Sequence, residues 1–436
     1  MEAKSPLGTG LVPGVRAGAG VLSLVAVLAA TLFTLGAGAA LKAHCAAGEW
    51  RDGRQYRDYC YSDIVPLYRS EHLTGGRLPY LDACHSLRPC DEYPPVTMYF
   101  LRSAAWLSRS PASFFWVNVA ALSALALLTS WLLWQLAGWR ALYFALAPTL
   151  LLYGFMNWDL VAVALTTAAT VLFLRKRDGW AGTLLGIGVA AKLYPALVLA
   201  AFALHRFRER DRRGAVVLGG TAAGVWAVTN VPFMVAAMHS WSYFFTFNAH
   251  RTADWDSIWF AGCTRYIGAT SYCTWSSNVI AEFEAVGLVT VIGLAWWARA
   301  RRCPSFPRWE LAFPFVAGAL LASKVYSPQY SLWLLPWFAL MGVGPWLFAA
   351  FEAAEIAVFL TRFSWFGRLF HDVGSAAFAS YHGAPIGAFE IAVLVRDVLL
   401  VVAIVHWVRR DPLPETRPSR ARVRLTLRRE RVEVSG

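Results

Sequence analysis

Charge is what this sequence has least of. Of its 436 residues, 15% are Asp, Glu, Lys or Arg, where a soluble chain carries about 25%. Hydrophobic residues make up 57%, and the mean hydropathy is +0.45. That balance excludes an ordinary soluble enzyme and points to a polytopic membrane protein. The motifs of soluble catalysis are missing as well: there is no Gly-rich phosphate loop, no HExxH and no CxxC pair. The net charge of +13 would suggest nucleic-acid binding only if the membrane were ignored. Most of the excess lies in short basic loops and the C-terminal tail, which is the cytoplasmic bias of inserted proteins.

What the sequence does have is a succession of apolar runs. Gly18 to Leu41 is long enough to span a bilayer and has no clean small-residue cleavage site, so it reads as a first helix that starts inside. The stretch 42–110 is then a first outer loop. Pro95 to Ser108 is short for a span and opens on a Pro-Pro break, so it reads as a helix lying in the outer interface. Further runs alternate direction: 112–137, 141–155, 160–174, 180–191, 196–204, 214–237, 279–298, 310–323, 331–342, 345–363 and 386–407. Those directed inward end at basic clusters, among them Arg175-Lys176-Arg177, His205 to Arg213 and Arg299 to Cys303. The expectation is an all-α polytopic membrane protein of about twelve spans, several of them shorter than the ~20 residues of a simple crossing. Both termini fall inside. Residues 1–408 form one transmembrane domain, with further outer loops at 238–278 and 364–385, and 409–436 form a basic cytoplasmic tail.

The cysteines support this orientation. Six of seven fall in loops placed outside, and the seventh, Cys303, in a basic inner one. Six cysteines allow 15 pairings. Short separation favours Cys84–Cys90 and Cys263–Cys273, which leaves Cys45–Cys60; the competing reading is free buried thiols.

Polar residues gather where the outer ends of the runs return: Asp63, Glu92, Tyr93, Asn157, Asp159, Lys192, Tyr194, His250, Arg251, Asp254, Asp256, Lys324, Gln329 and Tyr330. Lys192 and Lys324 each interrupt an apolar run, and in each case a Tyr and then a Pro follow. A single such lysine would snorkel to the interface. Two on the same side invite an anionic ligand, and a lipid phosphate fits. Asp63 and Asp159 have bland alternatives as helix caps. Glu352, Glu355, Glu390, Arg396 and Asp397, inside late runs, read as pairs facing the bundle.

The order of these features resembles the GT-C superfamily of membrane glycosyltransferases, and within it glycosyltransferase family 87, a group that includes polyprenol-phosphate-mannose-dependent mannosyltransferases. The residues that carry the resemblance are Asp63, EYPP at Glu92 to Pro95, Asn157-Trp158-Asp159, AKLYP at Ala191 to Pro195, and KVYSPQY at Lys324 to Tyr330. The resemblance implies a GT-C-like bundle and inverting transfer of a sugar, mannose before arabinose, from a polyprenyl-phosphate donor to a lipid-linked or cell-envelope glycan acceptor at the outer face of the plasma membrane. It implies Asp63 as the base, with Lys192, Tyr194 and Lys324 at the donor phosphate. Glu92, Tyr93, Asn157, Asp159, His250, Arg251, Gln329 and Tyr330 would line the sugar and acceptor side. No cofactor is expected, since lysines can neutralise the phosphate; Glu92 and Asp159 leave a divalent cation as the alternative. The cysteine-rich first loop departs from the pattern and bears on the acceptor. The rival classes are a transporter or flippase, expected to show repeated halves and midplane polar groups, and a non-catalytic membrane scaffold.

Overall fold

The computed structural model describes residues 17–84, 90–267, 270–372 and 380–411; most of the basic tail at 409–436 and part of the third outer loop lie outside them. The chain is a helical bundle. α1 (Ala17–Ala43) leads through a 3-10 turn at His44–Gly48 into α2 (Arg54–Arg57) and α3 (Ile64–Ser70). α4 (Pro95–Trp106) and α5 (Pro111–Ala137) follow, then the short α6 (Leu142–Ala145) and α7 (Pro148–Tyr153), and α8 (Asp159–Leu174). α9 (Asp178–Val189), α10 (Pro195–Arg208) and α11 (Arg212–Ala236) form a compact group. α12 (Met238–His250), α13 (Ile258–Cys263) and a hairpin of β1 (Thr264–Ile267) with β2 (Thr270–Cys273) precede α14 (Ser277–Arg302). α15 (Ala312–Ala322), α16 (Leu335–Met341), α17 (Pro345–Asp372) and α18 (Ile386–Arg409) complete the chain.

Among the described residues, four segments are long and apolar enough to cross a membrane: Gly20–Gly48, Pro111–Ala145, Arg212–Ala236 and Ser277–Arg302. α17 and α18 are comparably long, at 28 and 24 residues, but carry charged residues along their length. The remaining apolar runs are short helices packed among the long ones. Local signals set their bounds. Ser110 and Ser113 form a capping box at the start of α5, with Pro111 in the first turn. Gly138 (φ +58°) and Gly342 (φ +62°) end α5 and α16 in backbone conformations that L side chains rarely adopt. Glycine also allows close packing: a Cβ at Gly38 would lie 2.6 Å from the Leu151 carbonyl, and one at Gly186 would lie 2.5 Å from that of Ala222. These two contacts draw α1 onto α7 and α9 onto α11.

The bundle has two chemically different ends. At one, the basic loops converge. Arg206 reaches Asp178 at 2.8 Å and the Phe173 carbonyl at 2.9 Å, Arg299 reaches Glu310 at 3.4 Å and the Val408 carbonyl at 3.2 Å, and Arg410 joins Glu310 at 2.8 Å. At the other end, the 44–110 loop folds onto the breaks between helices. Ser62 donates to the Phe155 carbonyl at 2.8 Å, the Asp63 amide to Met156 at 2.8 Å, and the Val96 amide to Ala190 at 3.0 Å.

Three disulfides pin the loop end: Cys45–Cys60, Cys84–Cys90 and Cys263–Cys273, with Cα separations of 5.6, 5.8 and 4.9 Å. These are the pairs that sequence separation favours. Cys303 remains a free thiol at the basic end.

The structure departs from the sequence expectations in three places. The run 141–155 is not one helix, because Pro148 restarts it after α6. The 238–278 stretch is not an open loop but carries α12, α13 and the hairpin. α17 does not stop at Phe363 but continues to Asp372, because Phe366 and Phe370 find a partner in Tyr56 of α2, with ring centroids 5.6 and 5.3 Å away. Of the late charged residues, Arg396 pairs with Asp397 at 3.0 Å and donates to the Asp256 carbonyl at 2.7 Å, while Glu352 accepts from the Thr149 amide at the start of α7 at 2.8 Å.

Candidate active site

Asp63 stands at the position preceding α3, yet its carboxylate makes no capping bond. It turns instead toward the bundle. Tyr61 donates its hydroxyl to Oδ1 at 2.6 Å, and the Asn157 amide donates to Oδ2 at 3.0 Å. Both partners are neutral, so the carboxylate is held in place without its charge being cancelled. Burial and the nearby Asp63 charge push the Tyr61 phenol well above its ordinary range, which keeps it a donor. The same two causes raise Tyr93.

Asn157 is the hub. The chain between α7 and α8 is non-helical at this point, which exposes the Asn157 side chain to both the loop and the bundle. Its Nδ2 also donates to the Tyr93 hydroxyl at 2.7 Å, and its Oδ1 accepts from the Trp158 amide at 2.7 Å and from Lys192 Nζ at 3.4 Å. Lys192, in the gap between α9 and α10, lies 3.5 Å from Asp159 and over the rings of Tyr93 and Tyr330, at 4.7 and 5.5 Å from their centroids. Asp159 is fully buried; Oδ1 accepts from Trp333 Nε1 at 2.8 Å, and Oδ2 has no hydrogen-bond partner among the described residues. Lys192 is therefore not a snorkelling residue: only 7% of it is exposed, and it is engaged on two sides. A chain of contacts thus runs from Asp63 through Asn157 to Lys192 and Asp159, which is a base candidate and a cation candidate one amide apart.

The other expected residues divide. Arg251 pairs with Asp254 at 2.9 Å, Ser327 donates to the same carboxylate at 3.3 Å, and the Asp254 amide bonds to the Lys324 carbonyl at 2.8 Å. Lys324 donates to the Ala249 carbonyl at 3.0 Å, and burial lowers its affinity for a proton. These residues form a second cluster. Tyr194 does not face Lys192: it is buried and stacks on Trp333 at 4.3 Å, so it buttresses the group that holds Asp159. Gln329 is buried in the 3-10 turn Pro328–Trp333. Glu92 anchors by its amide to Glu71 at 3.2 Å. His250 is exposed at the end of α12 and bonds to its own helix at Thr246, so the structure does not bring it into either cluster.

Three features had escaped the sequence reading. Glu71, Arg77 and Asp91 form a buried knot, with Arg77 at 3.2 Å from Glu71 and 2.8 Å from Asp91. Burial pushes Glu71 up to about 7, opposed by the amides of Asp91 and Glu92 that it accepts from. The knot fixes the approach to EYPP, and so the Tyr93 hydroxyl. Arg362 of α17 pairs with Asp256 and lies near Asp63. Lys42, at the end of α1, is fully buried and also faces Asp63. No motif marks a lone lysine at a helix end, and the knot joins residues that only the folded loop brings together. As for metal, the one group of three metal-capable side chains among the described residues is His72, Cys84 and Cys90, and its two cysteines are joined to each other. Asp159, an expected ligand, faces Lys192 where a cation would stand.

Comparison with known proteins shows the family of the chain. Residues 92–328 match the family described as glycosyltransferase family 87. The chain belongs to that family. The match takes in Asn157, Asp159, Lys192 and Lys324, while Asp63 and Lys42 precede it. A relative from Mycobacterium tuberculosis (strain ATCC 25618 / H37Rv), a polyprenol-phosphate-mannose-dependent alpha-(1-2)-phosphatidylinositol mannoside mannosyltransferase, is 28% identical over 326 residues, 69% of each chain. The apo crystal structure of ArnT from Cupriavidus metallidurans aligns over 90% of this chain and 77% of its own, with 13% identity and a TM-score of 0.42. A likeness of that size adds no weight of its own. The protein is an integral membrane glycosyltransferase of family 87, and so of the GT-C kind that the motifs resemble.

Proposed function

We propose that this glycosyltransferase moves a sugar, mannose, from a polyprenyl-phosphate donor to a lipid-linked or cell-envelope glycan acceptor, with inversion, at the outer face of the plasma membrane. The observation that carries the proposal is the Asp63 carboxylate, held by Tyr61 and Asn157 and linked through Asn157 to Lys192. In the reaction, an acceptor hydroxyl oxygen attacks the anomeric carbon from the face opposite the phosphate. The bond from that carbon to the phosphate oxygen breaks, and its electron pair leaves with the polyprenyl phosphate. Asp63 takes the hydroxyl proton. Lys192 lends a donor hydrogen and positive charge to the departing phosphate, while Asp159 and Trp333 hold its ammonium in place. The donor class also follows the printed name of the mycobacterial relative. The outer-face assignment rests on the basic loops gathering at the opposite end of the bundle and on three disulfides at the site end.

The test is transfer by purified protein in bilayers supplied with radiolabelled polyprenyl-phosphate mannose or arabinose and a lipid extract as acceptor. The expected result is a mannose-labelled glycolipid. Label from arabinose alone would correct the sugar. Label from a nucleotide sugar but from neither lipid donor would overturn the donor class.

A further inference from the structure

A cavity of about 550 Å³ opens at the basic end of the bundle, where the turn from α8 into α9 meets the start of α11. That size suits a small ligand or a lipid headgroup. Lys176, Arg177 and Arg213 line it, and none of the three has an ion pair or a side-chain hydrogen bond among the described residues. Two carboxylates share the lining, and both turn to groups of the fold. Asp178 accepts from the buried Arg206 at 2.9 and 2.8 Å, and Asp211 accepts from the Gly214 amide at 2.8 Å, where it caps α11. The unpaired charge of the lining is therefore positive. The turn itself is built around it. The Lys176 amide bonds to the Phe173 carbonyl at 3.0 Å and the Arg177 amide to that of Leu172 at 2.8 Å. Such a helix end favours glycine at the position that Lys176 holds with φ +58°.

Away from the cations the groove becomes apolar. Trp180 stands at its mouth, 66% exposed, as aromatic residues do at a membrane interface. Val217 and Thr221 of α11 line the wall, and the hydroxyls of Thr183 and Thr221 are engaged with the Gly179 carbonyl at 3.0 and 3.1 Å. Arg213, Val217, Thr221, Gly224 and Val228 follow one another three or four residues apart, so they share one face of α11. Beyond the cavity that face is open: a Cβ at Gly224 would meet nothing within 4 Å, and Val228 is exposed. From Val217 to Val228 it runs about 16 Å at 1.5 Å per residue, close to half of a ~30 Å hydrocarbon core. The helix that carries it is one of the four long apolar segments. Unpaired cations at the interface, with an open apolar strip leading into the membrane, complement a lipid with an anionic headgroup. A soluble phosphate would use the cations and leave the strip uncovered.

We propose that the groove between α9 and α11 binds one anionic glycerophospholipid, with its phosphate at Lys176, Arg177 and Arg213 and an acyl chain along Val217, Gly224 and Val228. The site lies at the end of the bundle opposite Asp63 and does not depend on which donor the enzyme uses.

The experiment titrates the purified full chain in neutral detergent with phosphatidylglycerol or phosphatidylcholine and counts bound lipids by native mass spectrometry. Wild-type protein should hold one phosphatidylglycerol about tenfold more tightly than phosphatidylcholine, and its melting temperature should rise with the first lipid only. The triple variant Lys176→Gln, Arg177→Gln, Arg213→Gln should lose that preference and that rise, with turnover per folded molecule near normal. Gly224→Leu, which keeps all three cations and fills the strip, should also weaken phosphatidylglycerol binding several-fold. Three exposed arginines of the same end, outside the groove, serve as the control: Arg208→Gln, Arg210→Gln, Arg301→Gln should bind like the wild type. An equal loss in that control would mean a diffuse basic surface and overturn the inference. So would a wild-type protein that does not distinguish the two lipids, or a triple variant that keeps the preference. Unchanged lipid binding in Gly224→Leu, with glycerol phosphate competing as well as the lipid, would make the occupant a soluble phosphate and overturn the lipid assignment. Should the triple variant not fold, Gly224→Leu and the single variant Arg213→Gln carry the same comparison, and unchanged phosphatidylglycerol binding in both would overturn the proposal.

Discussion

The two ends of the bundle treat buried charge in opposite ways. At the basic end, Arg206 is paired with Asp178 and Glu209 and donates to the Phe173 carbonyl, and Arg299 is paired with Glu310 and donates to the carbonyls of Val408 and Arg410. Each guanidinium ties together helix ends that would otherwise separate. At the loop end, Asp63 is held by neutral donors, and Lys42 has no hydrogen-bond partner among the described residues. A buried charge paired with an opposite charge serves the fold, whereas one held without a counter-charge keeps capacity for a ligand. The contrast separates structural from functional charge within one molecule.

Substitutions can break the contrast from either side. The largest effect should come at the basic end. Removing Arg299 leaves Glu310 buried with only Arg410, and breaking such a pair costs about 3–5 kcal/mol. Arg299→Met should therefore melt well below the wild type, while turnover per folded molecule stays near normal. Loss of turnover in the molecules that remain folded would erase the distinction. Asn157→Ala should do the reverse. It releases Asp63, Tyr93 and Lys192 at once, and misplacement on that scale costs on the order of 10²-fold in rate. Single-turnover kinetics on the folded fraction checks this, and an unchanged rate would remove Asn157 as the hub.

Lys192→Ala should weaken donor use by about 1.5–3 kcal/mol, the worth of a hydrogen bond to a charged group, and Lys192→Arg should retain part of it. Donor titration by KM measures this; equal KM values would leave Lys192 as only the partner of Asp159. The smallest effect should come from His250→Ala. An exposed side chain bonded to its own helix should change stability and turnover by no more than about 0.5 kcal/mol. A large loss would bring α12 into the site after all.

How far the sequence reveals these ends depends on the range of the interactions. The apolar runs, their basic stops and the cysteine pairs are local or nearly local, and the fold follows them closely. The Asn157–Asp159 and Lys192 stretches are legible because polar residues interrupt apolar runs, and the structure does bring them together. Tyr194 sits in the same motif as Lys192, yet its ring turns to Trp333, because side-chain direction depends on how the chain leaves Pro195 for α10. The Met238–His250 run reads as a loop by hydropathy, since its aromatic and polar residues alternate without a strong apolar stripe; none of its residues is buried. The Glu71–Arg77–Asp91 knot and the approach of Lys42 to Asp63 exist only after the first loop folds onto the bundle, so no spacing announces them.

The central claim is that Asp63 is the base of sugar transfer, and Asp63→Asn tests it most directly. The amide keeps the shape but cannot take the proton, and losing a general base costs about 10²–10⁴-fold. Purified Asp63→Asn protein should fold, insert and bind polyprenyl-phosphate donor, and its turnover per folded molecule should fall by that factor. Near-normal turnover, with or without a stability loss of about 1 kcal/mol from a capping role, would contradict the account and move the base to another carboxylate, with Asp159 the first to examine.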